Sequence, residues 1–510
     1  MPPHIATIVF AVGIAGLFWL DRDESARVSK ALWLPAIWLS INGSRSVSSW
    51  IGMGAPAEIP GQLPETSLLD QVIAGTLILL GAIVLLRRRK DVRSLLKVGW
   101  PVALYYSCCM FSLVWSDFPA WGFKRWVRGS GDLIMVLIVA TDAQPTVALR
   151  RLLSRVGFVL LPASVLLIRY YPELGQSWDP WGSVQMFNGV AANKNMLGNL
   201  VFVLALGALW QVLTLVRASK EPNRSRRLLA QCTLLAFGID LLITAHSATS
   251  QACFIFGAGL MLAASLPRIR RRPAAVHALV VAIVLSGCLI ELFGGRAAIT
   301  GAMGRGEDLT GRTEIWKIVI PLVPNWIGGA GFETFWVGPR VARIFTLVGG
   351  YAMTNEAHNG YVETYLNLGC LGLILIGLIL GHGYRRAVDT FRRDSGLGAL
   401  LMAYVVTAVA YNISEAGFRI LSVEWFFLLL SVVVASRIIS VPRNVRRSQI
   451  ELSQDSDQAE LSRPLEEDRP AEVIMCGRRL GAEANFGSID SVSETGLPWR
   501  RISPAVAEGK

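Results

Sequence analysis

The stretch NEAHNGYVETYLNLGCLGLILIGLIL, residues 355–380, joins a histidine and two carboxylates to a long apolar run. The run is long enough to cross a bilayer as a helix, which takes roughly 17 to 25 residues. Similar runs recur along most of the chain, and 53% of its 510 residues are hydrophobic, 17% are charged and the mean hydropathy is +0.46. A soluble surface needs more polar residues than this composition supplies. The sequence therefore predicts an all-α polytopic membrane protein.

The apolar runs predict about twelve or thirteen transmembrane helices. They lie near 4–20, 31–42, 68–86, 98–115, 127–141, 153–170, 188–216, 229–245, 251–267, 275–293, 361–381, 397–412 and 424–440. The second and the fifth are short, and a re-entrant course for either would change the orientation of the N-terminus. The first run has no basic leader, so it is read as a span rather than a cleaved signal peptide.

Five clusters of Lys and Arg set the expected orientation. They lie at 87–90, 217–227, 268–272, 384–393 and 442–447. Because such clusters stay on the cytoplasmic side, the loops between them are expected to face outward. His358 and the long loop at about 294–360 are then extracytoplasmic. The clusters also account for the net charge of +12, so no nucleic-acid partner is expected.

The chain divides into a transmembrane domain, 1–447, and a cytoplasmic tail, 448–510. The tail is rich in Ser, Glu, Asp, Arg and Pro, and we expect it to be largely disordered because it cannot form a core. The seven cysteines include no CxxC pair and no Cys/His spacing typical of zinc. No metal site and no other cofactor is predicted.

The loop 294–360 is longer than connections without a function usually are. Its segment TGRTEIWKIVIPLVP begins at Thr310, a suitable N-cap, and is expected to form a short helix disturbed by its prolines. Arg305 and Arg312 bracket the start of this helix. Arginine matches phosphate oxygens and a helix N-terminus favours anions, so the pair predicts binding of a phosphate-bearing lipid head group. A lid helix with a structural role is the alternative.

Further ionisable residues lie on the same expected side of the membrane: Lys194, His246, Glu415 and Arg419. Such groups at the edge of a bilayer are costly unless they are paired or hydrated, and they are functional candidates. A snorkelling side chain or a turn residue is the alternative for each one, and it is favoured for Arg419. Their convergence on one side favours a shared site for the set.

The motifs NGVAANKNMLGN, GRGEDLTGRTEIW, GGAGFETFW and NEAHNGYVETYLNLGCLGL occur in an order that resembles the O-antigen ligase and Wzy-type polymerase superfamily, and most closely its exopolysaccharide-polymerase (ExoQ-like) branch. The resemblance covers roughly 40–435. It implies a GT-C-like fold in the bacterial inner membrane and a metal-independent, inverting glycosyltransferase active at the periplasmic face. The implied donor is an undecaprenyl-pyrophosphate-linked glycan.

Carried onto this chain, the resemblance implies that His358 is the catalytic residue and that Arg312 contacts the donor pyrophosphate. Lys194 and Glu415 match the lysine of the KN motif and the acidic residue near the last outer turn. Many relatives have a basic residue where this chain has Ala248, within HSATSQ. Arg305 or His246 is then expected to supply that charge, or donor binding differs.

The expected chemistry follows from the residue types. Arg312, helped by Arg305 or Lys194, would neutralise charge as the bond to the pyrophosphate breaks. Imidazole titrates near neutral pH, so His358 suits a general base that takes the proton of the acceptor hydroxyl. Glu363 would orient that ring or bind acceptor hydroxyls, with a structural acid as the equal alternative.

The expected function is polymerisation of exopolysaccharide or O-antigen repeat units by glycan transfer onto an acceptor sugar hydroxyl. A ligase that moves finished glycan to lipid A–core or another acceptor has the same chemistry and remains open. A transporter of lipid-linked sugars would instead place polar residues in mid-span or break helices at the bilayer centre. The expected partners are the lipid-linked donor, the glycan acceptor and membrane lipids, and the resemblance adds a chain-length co-polymerase.

Overall fold

The computed structural model describes residues 1–23, 28–52, 67–178, 184–218, 223–270, 274–275, 277–282, 285, 310–348 and 356–440. These residues fall in one compact unit, and nearly all of their regular structure is helical. Eight of the helices are long and apolar enough to cross a bilayer, and a bent pair raises that number to nine. The prediction of an all-α, multi-pass membrane protein is confirmed.

The helices that precede the described part of the long loop are Pro3–Leu20, Trp33–Asn42, Val47–Trp50, Leu68–Arg87, Arg89–Val98, Trp100–Phe111, Pro119–Ala140, Pro145–Tyr170, Pro172–Gly175, Lys194–Arg217, Arg224–Ala245, Ala248–Ser265 and Pro267–Arg270. The later helices are Thr310–Val319, Pro339–Leu347, Gly360–Arg393, Ser395–Tyr411 and Val423–Ser440. Short 3₁₀ turns occupy Lys30–Leu32, Ser112–Trp115 and Ile320–Leu322. Strands Gln176–Trp178 and Gln185–Phe187 pair antiparallel, with Ser177 opposite Met186.

A helix lies at twelve of the thirteen predicted span positions, and the thirteenth, 275–293, falls mostly outside the described residues. Length and composition support fewer crossings than predicted. Trp33–Asn42 and Ser395–Tyr411 are shorter than a full span, and Pro119–Ala140 contains four charged residues. The predicted tail, 448–510, also lies outside the described residues.

The predicted fourth span is a bent pair. Arg89–Val98 and Trp100–Trp115 meet at an angle of 92°. Gly99 ends the first helix, and Pro101 lies in the first turn of the second. The N–H groups of a first turn have no partner within the helix, so the absence of an N–H in proline costs no helical hydrogen bond there. The first helix of the pair is basic and amphipathic, so only the second continues the apolar run.

The last helix, Val423–Ser440, is buried over most of its length, whereas Pro3–Leu20 and Leu68–Arg87 have few buried residues. In a membrane protein the outward face of a helix meets lipid, so a helix with apolar residues all round is compatible with either position. The centre of the bundle therefore contains Val423–Ser440 together with Lys194–Arg217 and Pro145–Tyr170, and Pro3–Leu20 and Leu68–Arg87 form part of its rim.

At one end of the bundle, arginines form ion pairs with acids from other segments of the chain. Arg150 pairs with Asp23 at 2.5 Å, and Arg437 pairs with Asp91 at 3.1 Å. The opposite end, which we call the site end, carries Lys194, His358 and Glu415. The arginine ion pairs and the candidate site residues therefore lie at opposite ends of the bundle. This separation agrees with the alternation of loops rich and poor in Lys and Arg along the sequence.

Gly369 interrupts the helix Gly360–Arg393 with φ +61° and ψ −157°. Two amides just after the break, those of Cys370 and Leu371, donate to the carbonyls of Trp326 and Ile327 at 2.9 and 3.0 Å. Two carbonyls just before it, at 366 and 367, accept from the amides at 330 and 331, at 3.0 and 2.9 Å. The segment 326–331 thus satisfies backbone groups that cannot stay unpaired in a bilayer. Broken helices were expected of a transporter, but here the protein's own backbone fills the break.

Candidate functional site

His358 lies in a short loop that three contacts fix. The amide of Ala357 donates to Glu363 Oε2 at 3.0 Å, and the carbonyl of Ala357 accepts from Trp316 Nε1 at 2.8 Å. Asn359 then caps the helix Gly360–Arg393, its Oδ1 accepting from the amides of residues 361 and 362 at 2.9 Å. His358 itself has φ +49°, a conformation that non-glycine residues rarely adopt and that the surrounding bonds must hold.

The same loop is joined to the turn that follows the helix Ser395–Tyr411. Asn359 Nδ2 donates to the carbonyl of Ile413 at 2.7 Å, and the amide of Gly360 donates to the carbonyl of Asn412 at 2.9 Å. A Cβ at Gly360 would lie 1.8 Å from the Asn412 side chain, so this contact requires glycine. These bonds bring Glu415, from the turn, next to His358.

Two carboxylates face the imidazole. Nδ1 of His358 lies 3.0 Å from Glu356 Oε1 and 3.8 Å from Glu415 Oε2. The Nδ1 contact with Glu356 is an ion pair rather than a well-aligned hydrogen bond. The side chains of His358 and Glu356 are about 30% exposed, whereas Glu415 is 8% exposed. The imidazole is therefore held between two acids at the mouth of the site.

This arrangement changes the proton state expected of His358. Burial lowers the pKa of the imidazole, but the contacts with Glu356 and then Glu415 outweigh it and raise the pKa to about 9. Burial likewise raises the pKa of Glu356, but His358 and Arg419 together bring it down to about 2. At neutral pH the free site thus contains an imidazolium and an ionised Glu356, not the neutral imidazole that a general base requires.

Glu415 is itself held by two donors from other elements. Its Oε1 accepts from Arg312 Nη2 at 3.3 Å and from Asn195 Nδ2 at 3.2 Å. Nη1 of Arg312 also donates to the carbonyl of Ser414. Arg312 therefore lies beside the site as predicted, but in this arrangement its guanidinium is bonded to the turn that carries Glu415.

A cavity of about 490 Å³ opens beside these groups at the site end. Three predicted site residues line it: Lys194, His358 and Glu415. Lys194 begins the helix Lys194–Arg217, whose first turn is capped by Asn193 Oδ1 accepting from the amide of Met196 at 2.9 Å. The helix N-terminus and its lysine both present positive charge to the cavity, which suits an anion.

The remaining predicted site residues have other positions. Glu363 is buried and accepts from Trp336 Nε1 at 2.8 Å and from the amide of Ala357, so it supports the loop of His358 and does not face the cavity. His246 is exposed with φ +52° and is not among the cavity-lining residues. Ala248 begins the helix Ala248–Ser265 and is also exposed. Arg305 lies outside the described residues.

Arg419 lies in a turn, which was one of the two alternatives predicted for it, but its side chain is ion-paired and does not snorkel. Its Nη1 lies 3.0 Å from Glu356 Oε2. Burial raises the pKa of Glu333, but the positive charges of Arg125 and, less strongly, of Arg419 outweigh burial and lower that pKa. Glu333 contacts Arg125 at 2.7 Å. Half-buried acids and bases therefore alternate from Arg125 through Glu333, Arg419 and Glu356 to His358.

Sequence reasoning missed Glu333, Arg125 and the cavity-lining Arg128. Glu333 lies in the GFETFW motif, which gave no hint of its role beyond the order of the motifs. Arg125 and Arg128 lie at the start of Pro119–Ala140, at the end of the bundle opposite the arginine-rich one. The positive-inside rule predicts few basic residues on the outer side of the membrane. The presence of Arg125 and Arg128 on that side was therefore the signal that could have identified them.

Residues 233–377, which include Arg312, Glu333, Glu356 and His358, match the profile of a family described as O-antigen ligase. Over these residues the chain is similar to the O-antigen ligase family. The chain is also 26% identical over 324 residues to the exopolysaccharide production protein ExoQ of Rhizobium meliloti (strain 1021), and the match covers 58% of this chain and 67% of the relative. The predicted resemblance is confirmed, and it indicates polysaccharide assembly of the ligase or polymerase type.

Within the described ranges, no group of three or more His, Cys, Asp or Glu side chains is arranged to hold a metal ion. The cavity instead combines a lysine, an imidazolium and a carboxylate. Such a set can bind an anion through its cations and accept a proton through its carboxylate. These are the two requirements for transferring a sugar from a phosphate leaving group to a hydroxyl.

Proposed function

We propose that this protein polymerises exopolysaccharide or O-antigen repeat units. It would transfer a glycan from an undecaprenyl-pyrophosphate donor onto a sugar hydroxyl of an acceptor. The site would face the periplasm from the bacterial inner membrane, with the C-terminus in the cytoplasm, as the distribution of basic clusters suggests. A chain-length co-polymerase is the expected protein partner.

The observation that carries this proposal is the pairing of His358 with Glu356 and Glu415 at the edge of a cavity that Lys194 also lines. Lys194 and the imidazolium offer two positive charges to a diphosphate. Glu415, fixed by Arg312 and Asn195, offers a proton acceptor less than 4 Å from the imidazole. The alternating charges behind Glu356 hold this arrangement in a region of low dielectric, where electrostatic contacts are strongest.

The transfer step can be written with these groups. The acceptor oxygen attacks C1 of the donor sugar and forms the new glycosidic bond, while the bond from C1 to the diphosphate oxygen breaks. The lipid diphosphate leaves with the electron pair, and Lys194 and the imidazolium of His358 stabilise its charge. The hydroxyl proton passes to Glu415. After the lipid leaves, that proton goes to solvent and restores the starting state.

This scheme gives His358 a different role from the general base that the sequence suggested. The base role requires loss of a proton that two carboxylates retain, and a bound diphosphate would retain it further. The donor would therefore favour the protonated ring. The proton acceptor in the scheme is Glu415, whose Oε1 accepts hydrogen bonds from Arg312 and Asn195 and whose Oε2 faces His358.

A ligase that delivers finished glycan is the second candidate, because the matching family is described as O-antigen ligase. The relative ExoQ is described as an exopolysaccharide production protein, which favours the polymerase. Deletion of the gene separates the two. Short, unpolymerised lipid-linked units would support a polymerase, and long, undelivered chains would support a ligase.

The direct test is an assay with purified protein and a defined undecaprenyl-pyrophosphate repeat unit, in the absence of any ion gradient, with the products sized by electrophoresis. We expect longer glycans from the wild-type protein and none from His358→Ala. His4→Ala, which removes an exposed histidine from the first helix, is the matched control. Wild-type length of product from His358→Ala would contradict the assignment of the site, and a requirement for a gradient would favour a transporter.

A further inference from the structure

The cavity beside His358 has a second wall that belongs neither to the matched family segment nor to any predicted site residue. Arg128, from the helix Pro119–Ala140, and Asn42, from the end of Trp33–Asn42, both line it. Both also line a small neighbouring cavity that His358 does not reach. Arg128 and Asn42 therefore mark the wall that is formed by the N-terminal part of the chain.

The guanidinium of Arg128 has unused hydrogen-bonding capacity. Its Nε is buried and has no hydrogen-bond partner, and no described acid lies within ion-pairing distance of it. Asp70 and Asp132 attract it electrostatically, but both accept hydrogen bonds from other groups. Asp70 accepts from the amide and hydroxyl of Ser48, and Asp132 from the indole of Trp38 and the amide of Leu421. The two acids offset the cost of burying the positive charge of Arg128 but do not accept hydrogen bonds from its guanidinium.

The backbone around Arg128 is shaped so that neighbouring elements come close to it. A Cβ at Gly129 would lie 2.7 Å from Ile420, and a Cβ at Gly131 would lie 2.3 Å from Trp38. Gly129 thus admits the turn that contains Arg419, and Gly131 admits the helix Trp33–Asn42. Nδ2 of Asn42 is also buried without a hydrogen-bond partner. Two donors with unmet capacity therefore lie on one wall of a cavity that reaches His358.

A largely apolar groove adjoins this wall. It measures about 340 Å³, and it is lined by Trp33, Ile37, Trp50 and Val159 together with Ile41 and Ser44, which also line the cavity. Two arginines also line the groove, Arg45 over the ring of Trp50 and Arg155 over the ring of Trp33. Trp33, Ile37, Trp50 and Val159 are all exposed on the bundle, so the groove opens on the surface that meets lipid. A ligand that fills both spaces has a polar, anionic head and a long apolar chain.

We propose that Arg128 and Asn42 bind a phosphate of a polyprenyl diphosphate, with its chain in the groove between Trp33 and Trp50. This inference rests on the proposed function and identifies the residues that hold the donor. The head group is thereby held between Arg128 and the pair of Lys194 and His358.

The test measures binding of undecaprenyl pyrophosphate to the purified full-length protein in nanodiscs, by quenching of its tryptophan fluorescence. Loss of a charge-assisted hydrogen bond is expected to weaken binding of Arg128→Gln about 10- to 100-fold. Lys124→Gln, which removes an exposed positive charge one turn earlier on the same helix, should bind as the wild type does. Arg128→Lys, which keeps the charge, should lose less than Arg128→Gln and also shows whether the site tolerates substitution.

Equal binding by Arg128→Gln and wild type would overturn the assignment of Arg128. Competition separates the possible sources of phosphate. Inorganic pyrophosphate should displace the lipid only at concentrations at least about 10-fold higher, because it cannot fill the groove. Displacement at equal concentration would overturn the role of the groove, and displacement by phosphatidylglycerol would overturn the choice of a diphosphate. A protein that binds the lipid but makes no glycan would contradict the proposed function and leave this inference standing.

Discussion

Glu356 bridges two cations: its Oε1 lies 3.0 Å from Nδ1 of His358, and its Oε2 lies 3.0 Å from Nη1 of Arg419. One carboxylate therefore fixes both the position and the charge of the histidine. Glu333 in turn attracts Arg419 electrostatically, so the proton state of His358 also depends on charges beyond its direct contacts.

The pH dependence of activity should show this charge. If the imidazolium of His358 is the active form, kcat/KM falls as the pH rises through about 9, the pKa of the ring. The proton is bound below that pH and lost above it, so activity is expected to stay level from pH 7 to 8. The measurement is glycan synthesis by the purified protein between pH 6 and 10. Activity that rises toward pH 9 would instead identify the neutral ring as the general base.

Replacing Glu356 should move this transition. In Glu356→Gln the largest favourable contact of the imidazolium is lost, and the pKa of His358 is expected to fall toward its usual value of 6.5. The fall in activity should then begin at a pH lower by roughly 1 to 2 units. Glu314→Gln removes an exposed carboxylate from the neighbouring helix Thr310–Val319 and is the control. An unchanged pH profile in Glu356→Gln would show that Glu415 alone sets the proton state of the ring.

Glu363 should act through the position of the loop rather than through contact with substrate. Its carboxylate accepts from Ala357, Trp336 and Asn367, so Glu363→Gln would turn an amide donor toward groups that also donate. An unmet buried donor costs about 1–3 kcal/mol, which should lower the unfolding temperature. We expect kcat to fall with little change in KM for the donor.

Trp336→Phe keeps an aromatic ring at position 336 but removes the indole N–H that donates to Glu363, together with part of the packing, so its effects should have the same direction. Both unfolding temperature and the two kinetic constants are measured on purified protein. A rise in KM for the acceptor alone, with kcat unchanged, would instead show that Glu363 binds acceptor hydroxyls.

The break at Gly369 should tolerate no side chain. A Cβ there would lie 2.3 Å from the carbonyl oxygen of Ile327, and the positive φ adds strain for any other residue. Gly369→Ala is expected to reduce the amount of folded protein in membranes severely, as measured by size-exclusion chromatography in detergent. Gly377→Ala lies on the same helix with no atom near its Cβ position and should behave as the wild type does. Normal folding of Gly369→Ala would show that the segment 326–331 can move away from the helix.

The sequence was sufficient for the all-helical, multi-pass architecture because hydrophobicity acts locally, but it predicted more crossings than the described helices support by length and composition. Each apolar run predicts a helix on its own, and each arginine cluster indicates a side of the membrane on its own. The cavity could be approached only through residue types, and these found Lys194, His358 and Glu415 but gave no distance between them. Those distances depend on contacts such as Asn359 with Ile413, between residues that are far apart in the sequence.

The same reason explains why roles were harder to predict than positions. His358 was expected to titrate near neutral pH, because nothing in the sequence says that Glu356 turns toward it while Glu415 approaches from another turn. The pairing of Arg419 was not predicted, because Glu356 and Glu333 precede it by more than sixty residues. Burial and charge pairing are properties of the assembled fold, and they decide the protonation that the chemistry uses.

The four backbone hydrogen bonds between 326–331 and the break at Gly369 have a consequence for protein engineering. Glu333 follows this segment directly, and His358 precedes the broken helix, so the two are parts of a single exchangeable module. A chimera that takes the outer loop from a related enzyme without the first turns of Gly360–Arg393 would misalign donors and acceptors deep in the bilayer. Acceptor preference should therefore be transplanted by exchanging about 310–372 as one block, with the junctions placed beyond the break.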